Sequence, residues 1–152
     1  MPRSRVSLDL PGTVAAAERL WYDPEQWPAV VDGFARVARR EGRWPEVGAV
    51  IEWESRPGGR GRVTERSTSY EAGAGQTVAV EDDQLTGTQE VSFAPLEDGV
   101  EVALDLSYEL KAAGPLRRVV DVLFIRRALG DSLRRTLNRL GQELAAEREA
   151  LL

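Results

Sequence analysis

The sequence contains no cysteine and no histidine. Thiol catalysis, imidazole acid–base chemistry and the usual zinc ligand sets are therefore excluded, and only aspartate and glutamate remain to hold a hard metal ion. Long hydrophobic runs are missing too. No apolar stretch approaches the ~20 residues that span a bilayer, so no integral membrane segment is expected. The first residues lack the apolar centre of a secretory signal, and a cytoplasmic location is the expectation. Basic charge is in deficit, with 20 Lys and Arg against 25 Asp and Glu for a net charge of −5, and no nucleic-acid partner is expected. At 152 residues and 42% hydrophobic content the chain can bury a sizeable core without a disulfide or structural metal. One domain over residues 1–152 follows, with no internal repeat or linker.

The stretch Pro115 to Leu152 is the strongest pattern present, and it predicts one long amphipathic helix, with Gly130 marking where a bend would fall. Leu129, Leu133, Leu137, Leu140 and Leu144 recur at intervals of three and four, while Arg134, Arg135, Asn138, Arg139 and Glu143 fill the other side. Nearer its start, Val119, Val120, Val122, Leu123, Phe124 and Ile125 leave only Asp121 polar. That half must be enclosed nearly all round or must face a cavity. Gly114 and Pro115 announce the start, since proline is tolerated in a first turn.

Before that helix the chain reads as strand, two short helices, then strands. Val6, Leu8 and Leu10 alternate with Ser7 and Asp9 as in a half-buried strand, which Pro11 and Gly12 stop. Thr13 is placed to cap a helix from Val14 to Trp21, and Asp23 with Pro24 to begin a second one, interrupted at Trp27 and Pro28. Strands are expected near Ala35 to Glu41, Val47 to Ser55, Arg62 to Glu71, Thr77 to Glu81, Thr86 to Ala94 and Val100 to Lys111, joined by turns and therefore antiparallel. In the last of these Val100, Val102, Leu104, Leu106, Tyr108 and Leu110 share the inner face. Ile51 and Trp53 face in on an earlier strand, and Gln89, Val91 and Phe93 on another. For Arg62 to Glu71 two phases compete: Val63 argues for one, Tyr70 and an outward Glu65 for the other.

The segments Asp23-Pro24-Glu25-Gln26-Trp27-Pro28, Trp44-Pro45-Glu46-Val47-Gly48 and Asp98-Gly99, in this order of elements, resemble the helix-grip fold of the START/Bet v 1-like superfamily, often grouped with polyketide cyclases. The resemblance covers nearly the whole chain. It implies an α+β fold in which a seven-stranded curved antiparallel sheet wraps a long C-terminal helix, with two short helices after the first strand. It also implies an elongated apolar cavity between helix and sheet that takes lipids, polyketides or aromatic compounds, with Trp21, Trp27 and Phe34 near its entrance. No cofactor is expected.

The residues themselves support a cavity at the same place, because an apolar helix half would face a sheet bearing Trp53, Phe93, Leu104 and Tyr108. The candidate ligand-binding residues are Trp27, Phe34, Trp53, Gln89, Phe93, Leu104, Tyr108, Val120, Leu123, Phe124 and Arg127. Trp53 and Phe93 have a plain alternative as core packing. The Tyr108 phenol, on an inward face, either bonds to a side chain such as Gln89 or meets a ligand. Arg66 and Arg127 are candidate partners for an anionic ligand, or exposed arginines. Gly58, Gly59 and Gly61 form a hairpin rather than a phosphate loop, since no helix follows. Glu81, Asp82 and Asp83 read as a solvated turn, and no metal site is assigned. Three functions remain open on these residues. The first is binding of a small apolar molecule; the second is an aromatase/cyclase-like enzyme using Tyr108, Gln89 or an arginine to polarise a carbonyl; the third is a protein-interaction module acting through the arginine-rich helix face.

Overall fold

A computed structural model describes residues 2–111 and 115–152, with backbone alone from 115 to 123. The first strand, β1 (Arg3–Leu10), leads into α1 (Val14–Tyr22), a single 3-10 turn (Pro24–Gln26) and α2 (Trp27–Val30). Six strands follow: β2 (Phe34–Glu41), β3 (Val50–Ser55), β4 (Arg62–Glu71), β5 (Gly75–Glu81), β6 (Leu85–Leu96) and β7 (Gly99–Leu110), and then α3 (Pro115–Ala150). They form one antiparallel seven-stranded sheet in the order β1-β7-β6-β5-β4-β3-β2. The expected helix-grip architecture is therefore present: a curved sheet on one side, α3 held against its inner face, and α1 and α2 closing one flank.

Local chemistry sets the element ends. The Thr13 hydroxyl accepts from the Ala16 N–H at 3.1 Å, and the Asp23 carboxylate accepts from the Glu25 N–H at 3.0 Å, so each side chain satisfies a helix donor left open at an N-terminus. The expected interruption at Trp27 and Pro28 does not occur; both belong to α2. Pro28 sits in a first turn, where a missing N–H breaks no bond. β3 starts at Val50 rather than Val47, because the Ala49 N–H donates to the Glu46 carbonyl and keeps that segment a turn.

The grip rests on leucines and on two glycines. Leu129, Leu133, Leu137, Leu140 and Leu144 are all buried, as the helical spacing requires. Gly130 and Gly141 lie about three turns apart on one helix face. A Cβ at Gly130 would stand 3.3 Å from Ser4 Oγ, and one at Gly141 would stand 3.0 Å from Leu10 Cδ2. Each glycine costs a helix interior roughly 1 kcal/mol against alanine, and here that cost admits close contact between α3 and β1.

The competing phases of β4 are both correct. Val63, Glu65 and Ser67 lie opposite inward residues of β3 and β5, and a register shift between Ser67 and Ser69 then inserts one residue. Such a bulge reverses the side-chain alternation, so Tyr70 also turns inward and stacks edge-on against Tyr22 at 5.4 Å. Glu65 is therefore an inward residue, contrary to its expected outward place. On the opposite face of the sheet, Arg36, Arg39 and Arg62 alternate with Glu52 and Glu54 in ion pairs of 2.6 to 3.1 Å.

Leu137→Ala and Leu140→Ala should each lower stability by about 2 to 5 kcal/mol, as truncation of fully buried leucines does. Arg134→Ala, on the exposed side of α3, should change it by less than about 0.5 kcal/mol. Denaturant titration of the three variants checks this, and three equal small losses would mean that α3 is not gripped.

Candidate functional site

All four tryptophans of the chain, Trp21, Trp27, Trp44 and Trp53, converge on one interior cavity of ≈ 50 Å³. Each arrives from a different element. Trp21 comes from α1, Trp27 from α2, Trp44 from the turn between β2 and β3, and Trp53 from the inner face of β3. Leu104 of β7, Val80 of β5, Leu133 of α3 and Gln89 of β6 complete the walls.

Hydrogen bonds hold these rings in place. Trp27 Nε1–H donates to the Trp21 carbonyl at 2.8 Å, which ties α2 to α1. The turn carrying Trp44 is pinned by two inward polar side chains, because Ser67 Oγ donates to the Pro45 carbonyl at 2.7 Å and Gln76 Nε2 to the same oxygen at 3.2 Å. Trp53 Nε1–H donates to Glu65 Oε2 at 2.6 Å. Burial pushes the Glu65 carboxyl above its usual range, against the opposing pull of that hydrogen bond and of the Arg60 charge.

Arg60 enters from the β3–β4 hairpin and reaches the cavity beside Trp53, its guanidinium carbon 5.9 Å from the indole centroid. Its Nε–H donates to Asp82 Oδ2 at 2.7 Å. Asp82 is buried, which overturns its expected place in a solvated turn, and the reason is visible in its second oxygen. Asp82 Oδ1 accepts from the N–H groups of Gln84 and Leu85 at 2.8 and 3.0 Å, so the carboxylate both builds the β5–β6 turn and anchors the arginine. Two buried donors of these cavity-lining side chains are left over. Arg60 Nη2 and Trp44 Nε1 have no hydrogen-bond partner among the described residues.

The cavity adjoins a larger groove of ≈ 370 Å³ through Asp32, Arg60 and Ser132, which line both. The groove runs between α3, at Phe124, Ile125, Ala128 and Leu129, and the hairpin at Ser55, Gly58 and Gly59. An interior of 50 Å³ admits one functional group, whereas the groove lies within the ~300–1,000 Å³ typical of small-molecule sites.

Four of the expected site residues line the cavity together: Trp27, Trp53, Gln89 and Leu104. Phe34 and Phe93 do not; Phe34 packs on Trp27 and Trp53, and Phe93 on Tyr22, so both are core, and Phe34 is not at an entrance. Among the described residues, the enclosed space between helix and sheet is the ≈ 50 Å³ cavity. Phe124 is 78% exposed and lines the outer groove. Arg127 and Arg66 are exposed. The side chains of Val120 and Leu123 lie outside the described residues. Tyr108 is fully buried and does not bond Gln89; its hydroxyl has no partner among the described residues, and burial raises its pKa.

The sequence reading missed Glu65, Arg60 and Trp44. A signal existed for Glu65, since it stands two residues from inward Val63. The arginine face of α3 is partly committed to the fold: Arg135 pairs with Asp32 at 3.1 Å, and Arg139 donates to the carbonyls of Pro28, Ala29 and Val31.

A family model described as polyketide cyclase / dehydrase and lipid transport matches residues 1–145. No curated protein sequence matches the chain. Among solved structures, the di-domain ARO/CYC StfQ from the steffimycin biosynthetic pathway is similar over 97% of this chain and 51% of its own, with 18% identity and a TM-score of 0.76. A START superfamily protein from Mycobacterium smegmatis is similar over 96% of this chain and 99% of its own, at 12% identity and a TM-score of 0.73. Norcoclaurine synthase from Thalictrum flavum, in complex with dopamine and hydroxybenzaldehyde, is similar over 95% of this chain and 86% of its own, at 11% identity and a TM-score of 0.67. At these identities the likeness is one of fold.

The raised Glu65 pKa has a sign that can be measured. Between the ordinary carboxyl value of 4.5 and the higher folded value, the native state holds more protons than the unfolded state, so this group's contribution to stability falls as pH rises. Glu65→Gln removes that loss. The melting temperature of the variant relative to the parent should become more positive as pH is raised from 4.5 towards 8; a constant difference would mean that the Glu65 pKa is not raised.

Proposed function

The chain belongs to the polyketide cyclase / dehydrase and lipid transport family, within the START/Bet v 1-like superfamily, and from that premise we propose that it binds a small, largely apolar molecule carrying a carbonyl oxygen. The oxygen enters the tryptophan-lined cavity and the apolar body lies in the outer groove. One observation carries this reading. Two buried donors, Arg60 Nη2 and Trp44 Nε1, belong to side chains that line the same cavity, and neither has a partner among the described residues. A buried donor left unmatched costs roughly 1–3 kcal/mol, and more when charged. An entering acceptor oxygen recovers that cost, whereas an apolar group of the same size does not.

Charge favours a neutral acceptor over a carboxylate. The single guanidinium is already matched by buried Asp82, and Asp32, whose carboxyl Arg135 and Ser132 hold below its usual range, lines the same cavity. An anionic ligand would add a further negative charge where desolvation strengthens repulsion.

Quenching of the four cavity tryptophans gives a direct titration with phenylacetone, propylbenzene and phenylacetate. Phenylacetone should bind at least about tenfold more tightly than propylbenzene, since one hydrogen bond to a charged donor contributes about 1.5–3 kcal/mol, and phenylacetate should bind more weakly than the ketone. Arg60→Met should remove the preference for the ketone. Trp44→Phe, which leaves the Arg60–Asp82 pair intact, should reduce it by several-fold. Equal affinity for ketone and hydrocarbon in the parent protein would sink the proposal.

A further inference from the structure

We infer that Glu65 is a catalytic residue of this cavity: its carboxylate takes a proton from the carbon next to the bound carbonyl and returns it, so that the site interconverts a ketone and its enolate. The inference rests on the binding mode proposed above and adds chemistry to it.

The argument begins with what Glu65 is not needed for. Its one hydrogen bond among the described residues is the one it accepts from Trp53 Nε1–H. An uncharged amide would accept that bond as well, without the desolvation penalty of a carboxylate, and Gln89 already lines the same cavity. Only one of its oxygens is used. Oε2 receives the indole N–H, which fixes the plane of the carboxylate, while Oε1 has no partner among the described residues. A cavity-lining carboxylate held through one oxygen keeps its other oxygen available to act as a general base.

Arg60 and Trp44, whose side chains line the same cavity, supply the second requirement. Proton abstraction next to a carbonyl pushes the C–H electron pair into a new C=C bond and the carbonyl π pair onto oxygen, where negative charge develops. Arg60 Nη2 and Trp44 Nε1 are two donors already buried and fixed, the first through Asp82 and the second through the Pro45 anchor to Ser67 and Gln76. Preorganised donors aimed at a developing oxyanion lower the barrier because they need no rearrangement during the reaction. The proton is held by Glu65 as its carboxylic acid and goes back to the same carbon, so the cycle consumes nothing. Burial also raises the proton affinity of Glu65, which strengthens it as a base.

Phenylacetone in heavy water separates this assignment from a structural role. The protein should accelerate exchange of the protons between ring and carbonyl for deuterium, followed by proton NMR, above the rate in buffer alone. Glu65→Gln, which keeps an acceptor for Trp53 Nε1, should lower the accelerated rate by about 100-fold or more while tryptophan quenching by phenylacetone stays within about twofold. Glu65→Asp, which retains a carboxylate, should recover part of the rate. Saturable quenching by phenylacetone without accelerated exchange would overturn the catalytic assignment alone. Unchanged exchange in Glu65→Gln would do the same. Absence of any quenching would overturn the binding reading and this assignment with it.

Discussion

Every polar group that the sheet turns towards α3 has to be matched inside, because water cannot do it there. Most are, and the bonds that match them also fix the loops. Ser67 and Gln76 spend their side chains on the Pro45 carbonyl and thereby hold the β2–β3 turn. Thr136 of α3 accepts from the Asp32 N–H at 3.0 Å, and Ser132 donates to the Asp32 carboxylate at 2.9 Å, which docks the α2–β2 turn on the helix. Asp82 folds its own turn and anchors Arg60. Positions that look like isolated polar defects in a core are the fasteners of three separate loops. The same accounting leaves the hydroxyls of Tyr22 and Tyr108, Arg60 Nη2 and Trp44 Nε1 without partners among the described residues, and the last two belong to side chains that line the cavity.

The architecture was legible because its signals are periodic. β7 alternates through Val100, Val102, Leu104, Leu106 and Tyr108, and α3 repeats leucine at helical spacing; either pattern survives a boundary error of a residue or two. The site was less legible because it depends on departures from period. In β4 one inserted residue lets Glu65 and Tyr70 both face inward, which no single alternating phase allows. Asp82 sat in a run of three acids, where the pattern means solvent; its burial follows from the turn it caps and from Arg60, which is remote in sequence and close only after β3, β4 and β5 have paired. Trp44 was visible as part of a turn motif, but nothing in the sequence aims its indole inward. That direction comes from Ser67 and Gln76, on strands not yet paired when the turn is read.

Aromatic content explains why the cavity among the described residues is small. Phe34, Trp27 and Trp44 meet edge to face at centroid distances of 6.0 to 6.1 Å, and Phe34 leans on Trp53 at 5.5 Å. Rings that pack on one another bury large areas and leave little void. An empty apolar cavity would forfeit those contacts and lower stability. The tryptophans therefore serve two ends at once: they close most of the space by packing, and they surround what remains with a wall whose polar points are few and fixed.

That combination bears on how a site without histidine or cysteine can still carry out acid–base chemistry. A carboxylate in water has a proton affinity too low for useful transfer near neutrality, and an arginine cannot give up its proton at all. Burial changes the first term and not the second. Beside Trp53 the Glu65 carboxyl is pushed towards its neutral form, while Arg60 keeps its charge and Asp82 balances it without occupying Nη2. The resulting division of labour needs only two side chains of opposite character in one cavity. One is a carboxyl whose proton can move, and the other is a guanidinium whose proton cannot, so the donor that stabilises an oxyanion does not compete for the proton that the carboxyl transfers.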